Sequence, residues 1–361
     1  MNFKRLGSVA AIAVAGTILL SSCAANEGGT TPSEGDSGLS GTISGAGASS
    51  QGSAQEAWQA AFQIENTGVT VNYDPAGSGA GREQFIAGGV AFAGSDSSLS
   101  DEEIAAGFTG CVPTSNYIEV PNYISPIAVI FNIDGVDELN IDSPTLASIF
   151  KGDITNWNDP AIADLNPDAT LPDATITAVH RSDDSGTTKN FADYLFKTSP
   201  DIWTEEPADT FPYKGEAAAK TAGVVAAVTD GTNTIGYADA SQAGDLGVAK
   251  LKVGDDFVAY TPEAAAAVVA ESPAVEGRDA TDLAIALDRT TTDPTHYPLV
   301  LVSYIIACGE YADADQAAVT KAYIEYITSE AGQTAAADAA GSAPLSAELS
   351  AKVATAVATI K

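Results

Sequence analysis

The chain alternates short apolar runs with longer stretches in which apolar positions recur every three or four residues. Residues 69–73, 127–132, 176–179 and 299–306 are rich in β-branched and aromatic side chains and predict strands. Residues 54–64, 82–87, 143–150, 187–195, 217–229 and 314–327 carry the helical period. Strands interleaved with helices predict an α/β protein with open sheets. No internal repeat is visible, and a length of 361 residues suggests two domains.

The first residues follow another logic. Lys4 and Arg5 precede an uncharged run over 6–20, then Ser21, Ser22 and Cys23. A basic start, a short apolar stretch and small residues describe a secretory signal over 1–22, and the run is short for a membrane span. Leu20-Ser-Ser-Cys23 also resembles the lipobox of bacterial lipoproteins, whose cysteine is diacylated and becomes the mature N-terminus. An ordinary signal peptide with an incidental cysteine is the alternative. Residues 23–40, rich in Gly, Ser, Thr and Glu, then read as a flexible tether. The expectation is an exported protein, lipid-anchored at the outer face of the cell membrane.

Two cysteines remain, Cys111 and Cys308. In an oxidising compartment an even pair favours a disulfide, with two buried thiols as the alternative. Their spacing is unlike a zinc ribbon and the chain has two histidines, His180 and His296, so no metal site is expected. Both histidines read as surface or hinge residues.

Charge narrows the choice of partner. Hydrophobic residues make up 45% of the chain and charged ones 18%, enough for a packed core. With 16 Lys+Arg against 48 Asp+Glu the formal net charge is −32; losing residues 1–22 removes Lys4 and Arg5 and no acid, which leaves −34. Such a chain is not a nucleic-acid binder that works by neutralising phosphates, and it is poorly suited to docking on anionic lipid by charge. Net charge alone also argues against an anionic ligand.

Three segments argue the other way, each placing glycines and hydroxyl residues just before a predicted helix. They are Gly45-Ala-Gly-Ala-Ser49-Ser50-Gln-Gly-Ser53, Tyr73-Asp-Pro-Ala-Gly77-Ser78-Gly-Ala-Gly81 and Arg181-Ser-Asp-Asp-Ser185-Gly186-Thr187-Thr188. Glycine lets backbone N–H groups approach a ligand, and Ser or Thr caps the helix or donates a hydroxyl. A helix N-terminus adds free N–H donors and about half a positive charge. One such loop is ordinarily just a cap; three, one with Arg181, point to a shared anion site. Enzyme templates fit poorly. Ser78 and Ser49 each lack a glycine of the nucleophile elbow, no Walker lysine follows, and neither glycine loop completes a dinucleotide fingerprint. Asp183 reads as the residue that orients Arg181.

In their order these motifs resemble the phosphate-binding proteins of Pst-type ABC importers. The likeness runs from Gly45-Ala-Gly-Ala-Ser49 through Tyr73 with Gly77-Ser78 to Phe92-Ala-Gly-Ser-Asp96 and Ile154-Thr-Asn-Trp-Asn-Asp-Pro-Ala-Ile162. It continues with Leu165-Asn-Pro167, Arg181-Ser-Asp-Asp-Ser-Gly-Thr-Thr188 and Ile235-Gly-Tyr237. The resemblance implies a two-domain periplasmic-binding-protein (Venus flytrap) fold in which the chain crosses twice. Domain one would be 41–124 plus 298–361, holding both Cys111 and Cys308, and domain two 125–297. One wall of the implied phosphate site is Ser49, Ser50, Ser78 and Asp96; the other is Arg181, Ser185, Gly186 and Thr187.

Family members usually carry Thr-Phe where this chain has Ser49-Ser50, which questions the apolar cover of the cleft but not its donors. Arg82 is also less usual; it either pairs with nearby acids or raises the potential at the cleft mouth. The implied partners are inorganic phosphate and the permease and ATPase subunits of an importer, for a monomeric, non-enzymatic receptor without cofactor. Phosphate near neutral pH carries a proton and sulfate does not, so an ionised Asp96 would accept a hydrogen bond from the former and repel the latter. A receptor for sulfate or molybdate, and less so a phosphatase, remain as alternatives.

Overall fold

In the computed structural model, which describes residues 38–361, the apolar runs pair as strands and the periodic stretches cover them as helices. The leader, Cys23 and most of the tether lie outside the described residues. The first third is built of β–α units: β1 (Gly41–Gly47), α1 (Gly52–Glu65), β2 (Val69–Asp74), α2 (Ser78–Ile86), β3 (Phe92–Ser95) and α3 (Asp101–Ala106). β1 pairs in parallel with both β2 and β3. Strand β4 (Tyr117–Asn132) follows, then β5 (Asn140–Ile141), α4 (Ser143–Lys151) and α5 (Pro160–Ala163). A second set of parallel units comprises β6 (Thr177–Arg181), α6 (Gly186–Thr198), β7 (Glu216–Ala218), α7 (Lys220–Asp230) and β8 (Thr234–Asp239). The chain ends with β9 (Gly247–Val248), β10 (Lys250–Val253), β11 (Asp256–Val258), α8 (Pro262–Glu271), β12 (Val300–Cys308), α9 (Ala314–Thr328), α10 (Glu330–Ala340) and α11 (Ala347–Val357).

Among the described residues, nine strands join in one curled mixed sheet of order β2-β1-β3-β12-β4-β8-β6-β7, with β9 also on β4. Its centre is β4, which changes partners along its length. Tyr117 to Pro126 pair antiparallel with β12, and Ile127 to Asn132 pair antiparallel with β8. Only its second part is legible as a strand in the sequence. Pro121 faces Tyr304 where the register of the β12 pairing shifts, a bulge of the kind that tolerates proline within a sheet. The helix expected over 217–229 starts only at Lys220, because residues 216–218 add to the edge of β6 as β7.

Aromatic clusters hold the helices to the sheet. Trp58 on α1 is fully buried and its indole N–H donates to Gly332 O at 2.7 Å, while Phe62 meets Tyr323 edge-on. On the other side Phe191 of α6 stacks on Tyr237 of β8 with centroids 4.2 Å apart. Cys111 and Cys308 are joined in a disulfide that ties the segment before β4 to the end of β12. Of the two placements expected for the histidines, surface or hinge, burial rules out the surface for both. His180 is buried against Phe211 with its Nδ1 2.9 Å from Arg181 O, and His296 is buried with its Nδ1 2.9 Å from Thr291 Oγ1. No helix among the described residues is long and apolar enough to cross a membrane.

Candidate functional site

The three glycine and hydroxyl loops converge because each leaves the carboxyl end of a parallel strand and enters a helix, the place where α/β sheets bind ligands. Ala48 to Gln51 link β1 to α1, residues 75–77 link β2 to α2, and residues 182–185 link β6 to α6. Asp96 directly follows β3. Gly77, at φ +108°, makes the turn before α2, and a Cβ there would stand 2.6 Å from Asp183 Oδ2 of the third loop. Gly186 is the first residue of α6; a Cβ there would stand 2.7 Å from Ser78 Oγ and 2.8 Å from Asp96 Cβ. The two walls therefore meet closely.

Asp96 is the centre of the arrangement. Its Oδ1 accepts the hydroxyls of Ser50 and Ser303, both at 2.6 Å, and its Oδ2 accepts that of Thr187 at 2.9 Å. Its backbone N–H donates to Ser78 Oγ at 3.1 Å, and its carbonyl accepts from Asn190 Nδ2 at 2.7 Å. Burial pushes the Asp96 carboxyl above its usual range, against the opposing pull of the Ser303, Ser50 and Thr187 hydroxyls and the Arg181 charge. A carboxylate offers about four acceptor sites, so three hydroxyls leave Oδ2 able to accept one more donor.

Arg181, at the end of β6, is almost wholly buried and pairs with Asp183 through both Nε and Nη2, the former at 2.8 Å from Oδ1. Although burial opposes it, the guanidinium holds the Asp183 carboxyl below the usual range. Asp183 Oδ1 also accepts from Lys220 N at 2.8 Å, so it orients Arg181 and fixes the start of α7 together. Tyr237 ties β6 to α6: its hydroxyl accepts from Arg181 N at 3.3 Å and lies 2.7 Å from Thr188 Oγ1. Ser185 caps α6 by accepting from Thr188 N at 3.2 Å, which leaves its own proton to donate.

Ser50, Ser78 and Thr187 are thus gathered on Asp96 with Gly186 packed close by, and Arg181 and Ser185 stand at the adjoining strand end and cap. Ser49 lies apart from Asp96; its Oγ accepts from Thr221 N at 3.1 Å and lies 2.9 Å from Thr221 Oγ1, at the N-terminus of α7. Arg82 is directed at acids, Glu103 at 2.8 Å and Asp209 at 2.5 Å. Sequence reasoning missed Ser303, Thr221 and Gln51. Gln51 Nε2 donates to Ser303 Oγ at 2.6 Å, and Gln55, Asn122 and Tyr323 extend that buried chain of hydrogen bonds. Ser303 stands out as the one serine in the apolar run 299–306, a signal that marks the residue but not its partner.

Hydroxyls, helix N-termini and one guanidinium surround one carboxylate. Such a set suits a small oxyanion, with the carboxylate able to read a proton on it. Comparisons with known proteins agree with this geometry. A family model described as a PBP superfamily domain matches residues 32–331. The phosphate-binding protein PstS 3 of Mycobacterium tuberculosis (strain ATCC 25618 / H37Rv) is 36% identical over 354 residues, covering 94% of each chain. The phosphate-binding protein PstS of Pasteurella multocida (strain Pm70) is 30% identical over 304 residues, covering 82% of this chain and 84% of its own. Among solved structures, the periplasmic phosphate-binding protein PfluDING bound with phosphate superposes with a TM-score of 0.71 at 21% identity, covering 87% of this chain and 93% of its own. The fold is thus the two-domain substrate-binding one, and the chain belongs to the PBP superfamily and, within it, to the PstS family of phosphate-binding proteins.

Proposed function

We propose that this protein is a non-catalytic receptor that captures inorganic phosphate between two domains and delivers it to a Pst-type ABC importer. The observation that carries the reading is Asp96, a buried acceptor set among Ser50, Ser78 and Thr187 and facing the Arg181 wall. Arg181 supplies the full countercharge; Ser49, Ser50, Ser78, Ser185, Gly186 and Thr187 supply hydroxyl and N–H donors. Binding turns the Ser50 and Thr187 hydroxyls from Asp96 onto the anion, and Asp96 then accepts the ligand's own O–H. Sulfate, with no proton, sets two acceptors face to face, a mismatch costing about 1–3 kcal/mol or more when charged. A site built on such a bond rejects the ligand lacking it by roughly 10⁴-fold.

The domains are 41–124 with 298–361, and 125–297; the partner change of β4 after Pro126 supports that division. The receptor acts as a monomer, held at the outer face of the cell membrane by lipid on Cys23, and its partners are the permease and ATPase subunits. Calorimetric titration with phosphate, arsenate and sulfate tests the function: phosphate and arsenate bind and sulfate does not. Comparable sulfate binding, or none by phosphate, refutes it. Asp96→Asn, which keeps the shape and loses the charge, is expected to narrow the phosphate/sulfate ratio; an unchanged ratio removes Asp96 from that role.

A further inference from the structure

Arg82 lies on α2 and is 6% exposed, and its guanidinium is held by residues that flank the site rather than by Asp96 itself. Its Nη1 donates to Ser95 Oγ and to Ser97 Oγ, both at 2.9 Å, so it straddles Asp96 from behind. Its Nε donates to Glu103 Oε1 at 2.8 Å and its Nη2 to Asp209 Oδ2 at 2.5 Å. Asp209 belongs to the segment between α6 and β7, on the opposite wall. Its Oδ1 accepts from Ser97 Oγ at 3.0 Å, and its backbone O accepts from Ser185 N at 2.9 Å. One relay therefore runs from the serines flanking Asp96, through Arg82 and Asp209, to the cap of α6.

We infer that Arg82 and Asp209 are positioning residues that lock the Asp96 turn against the N-terminus of α6 and so set how long the anion is retained. The inference rests on the phosphate-receptor reading. Four of the five N–H donors of Arg82 are engaged by Glu103, Ser95, Ser97 and Asp209, so it acts on the ligand through Asp96 and Ser185 rather than by touching it. A planar fork that binds four acceptors at fixed angles is a task for arginine, not lysine. The pair joins the walls without any ligand atom, so its loss favours parted walls and acts chiefly on release.

Stopped-flow phosphate binding and release on the full chain tests this with Asp209→Asn, which keeps the backbone contact to Ser185 N. The expected result is release faster by about tenfold with association changed less than about twofold, as affinity changes mostly appear in the off-rate. The phosphate/sulfate ratio stays as in the parent, because Asp96 is untouched. The double variant Arg82→Gln/Asp209→Asn is expected to release no faster than the worse single variant, the mark of residues acting as a unit. A purely structural pair would lower the melting temperature and leave the release rate alone. Unchanged release in Asp209→Asn, or additive effects in the double variant, overturns the inference while the receptor reading stands. A parent protein that takes up no phosphate overturns both. Should Arg82→Gln fail to fold, Ser97→Ala replaces it in the cycle, since it removes only the hydroxyl between Arg82 and Asp209.

Discussion

Single atoms decide what this site accepts. Gly186 is present because the walls meet there: beyond Ser78 Oγ and Asp96 Cβ, a Cβ would also stand 2.9 Å from Ser97 N. Gly186→Ala, at a helical position that tolerates alanine, is expected to leave the fold intact and weaken phosphate binding by at least about tenfold, roughly 1.4 kcal/mol. Titration with unchanged affinity would mean that the walls stay apart when the anion binds. Asp239, at the end of β8, illustrates a second residue-scale effect. Its Oδ1 accepts from Tyr123 at 3.0 Å and from Ser241, whereas its Oδ2 is buried with no hydrogen-bond partner. Burial pushes this carboxyl up to about 7. The folded protein therefore holds a proton that the unfolded chain releases, and stability falls as pH rises from about 4 to 7. Asp239→Asn is expected to gain about 2–3 kcal/mol on its parent between pH 5 and 8. Melting curves at the two pH values measure it, and parallel behaviour would show that Asp239 is ionised throughout.

Among the elements, helix starts serve both fold and site. Ser185 caps α6 inside the site, and Thr261 caps α8 outside it by accepting from Ala264 N at 3.0 Å. Each change to alanine is expected to cost about 1 kcal/mol of stability. Only Ser185→Ala is expected to weaken phosphate binding as well, so paired denaturation and titration separate the two roles; equal affinity in both would make Ser185 a cap alone. Strand β4 explains a limit on legibility. Its first part is buried on both faces and carries Glu119, Asn122 and Ser125 inward, so it shows neither alternation nor a continuous apolar run. The glycine and hydroxyl loops were legible because their chemistry is local. Ser303 and Thr221 were not, because their partners Asp96 and Ser49 lie 207 and 172 residues away.

Over the whole molecule, long-range ties and bulk charge matter. The Cys111–Cys308 disulfide spans 197 residues, and its reduction is expected to lower stability by up to about 5 kcal/mol on the loop-closure account. Urea midpoints with and without reductant measure this; coincident curves would show that other contacts already restrict the unfolded chain. A charge of −32 repels an arriving anion, but exposed acids act through water and salt, with a Debye length of about 8 Å at physiological ionic strength. Phosphate association is therefore expected to quicken with added neutral salt, and a flat dependence would make the bulk charge irrelevant to capture.

By itself the sequence determined the α/β alternation, the three loops, the Arg181–Asp183 partnership and the family motifs, because each depends on residues near one another in the chain. Tertiary structure alone decided that Ser303 backs Asp96, that Ser49 meets Thr221, and that Arg82 pairs with Asp209. Those facts depend on sheet order, which sets β3 beside β12, and on contacts between segments far apart in the chain. Net charge is a sum over the surface. Recognition is set by the few groups that folding removes from water and aims at one point.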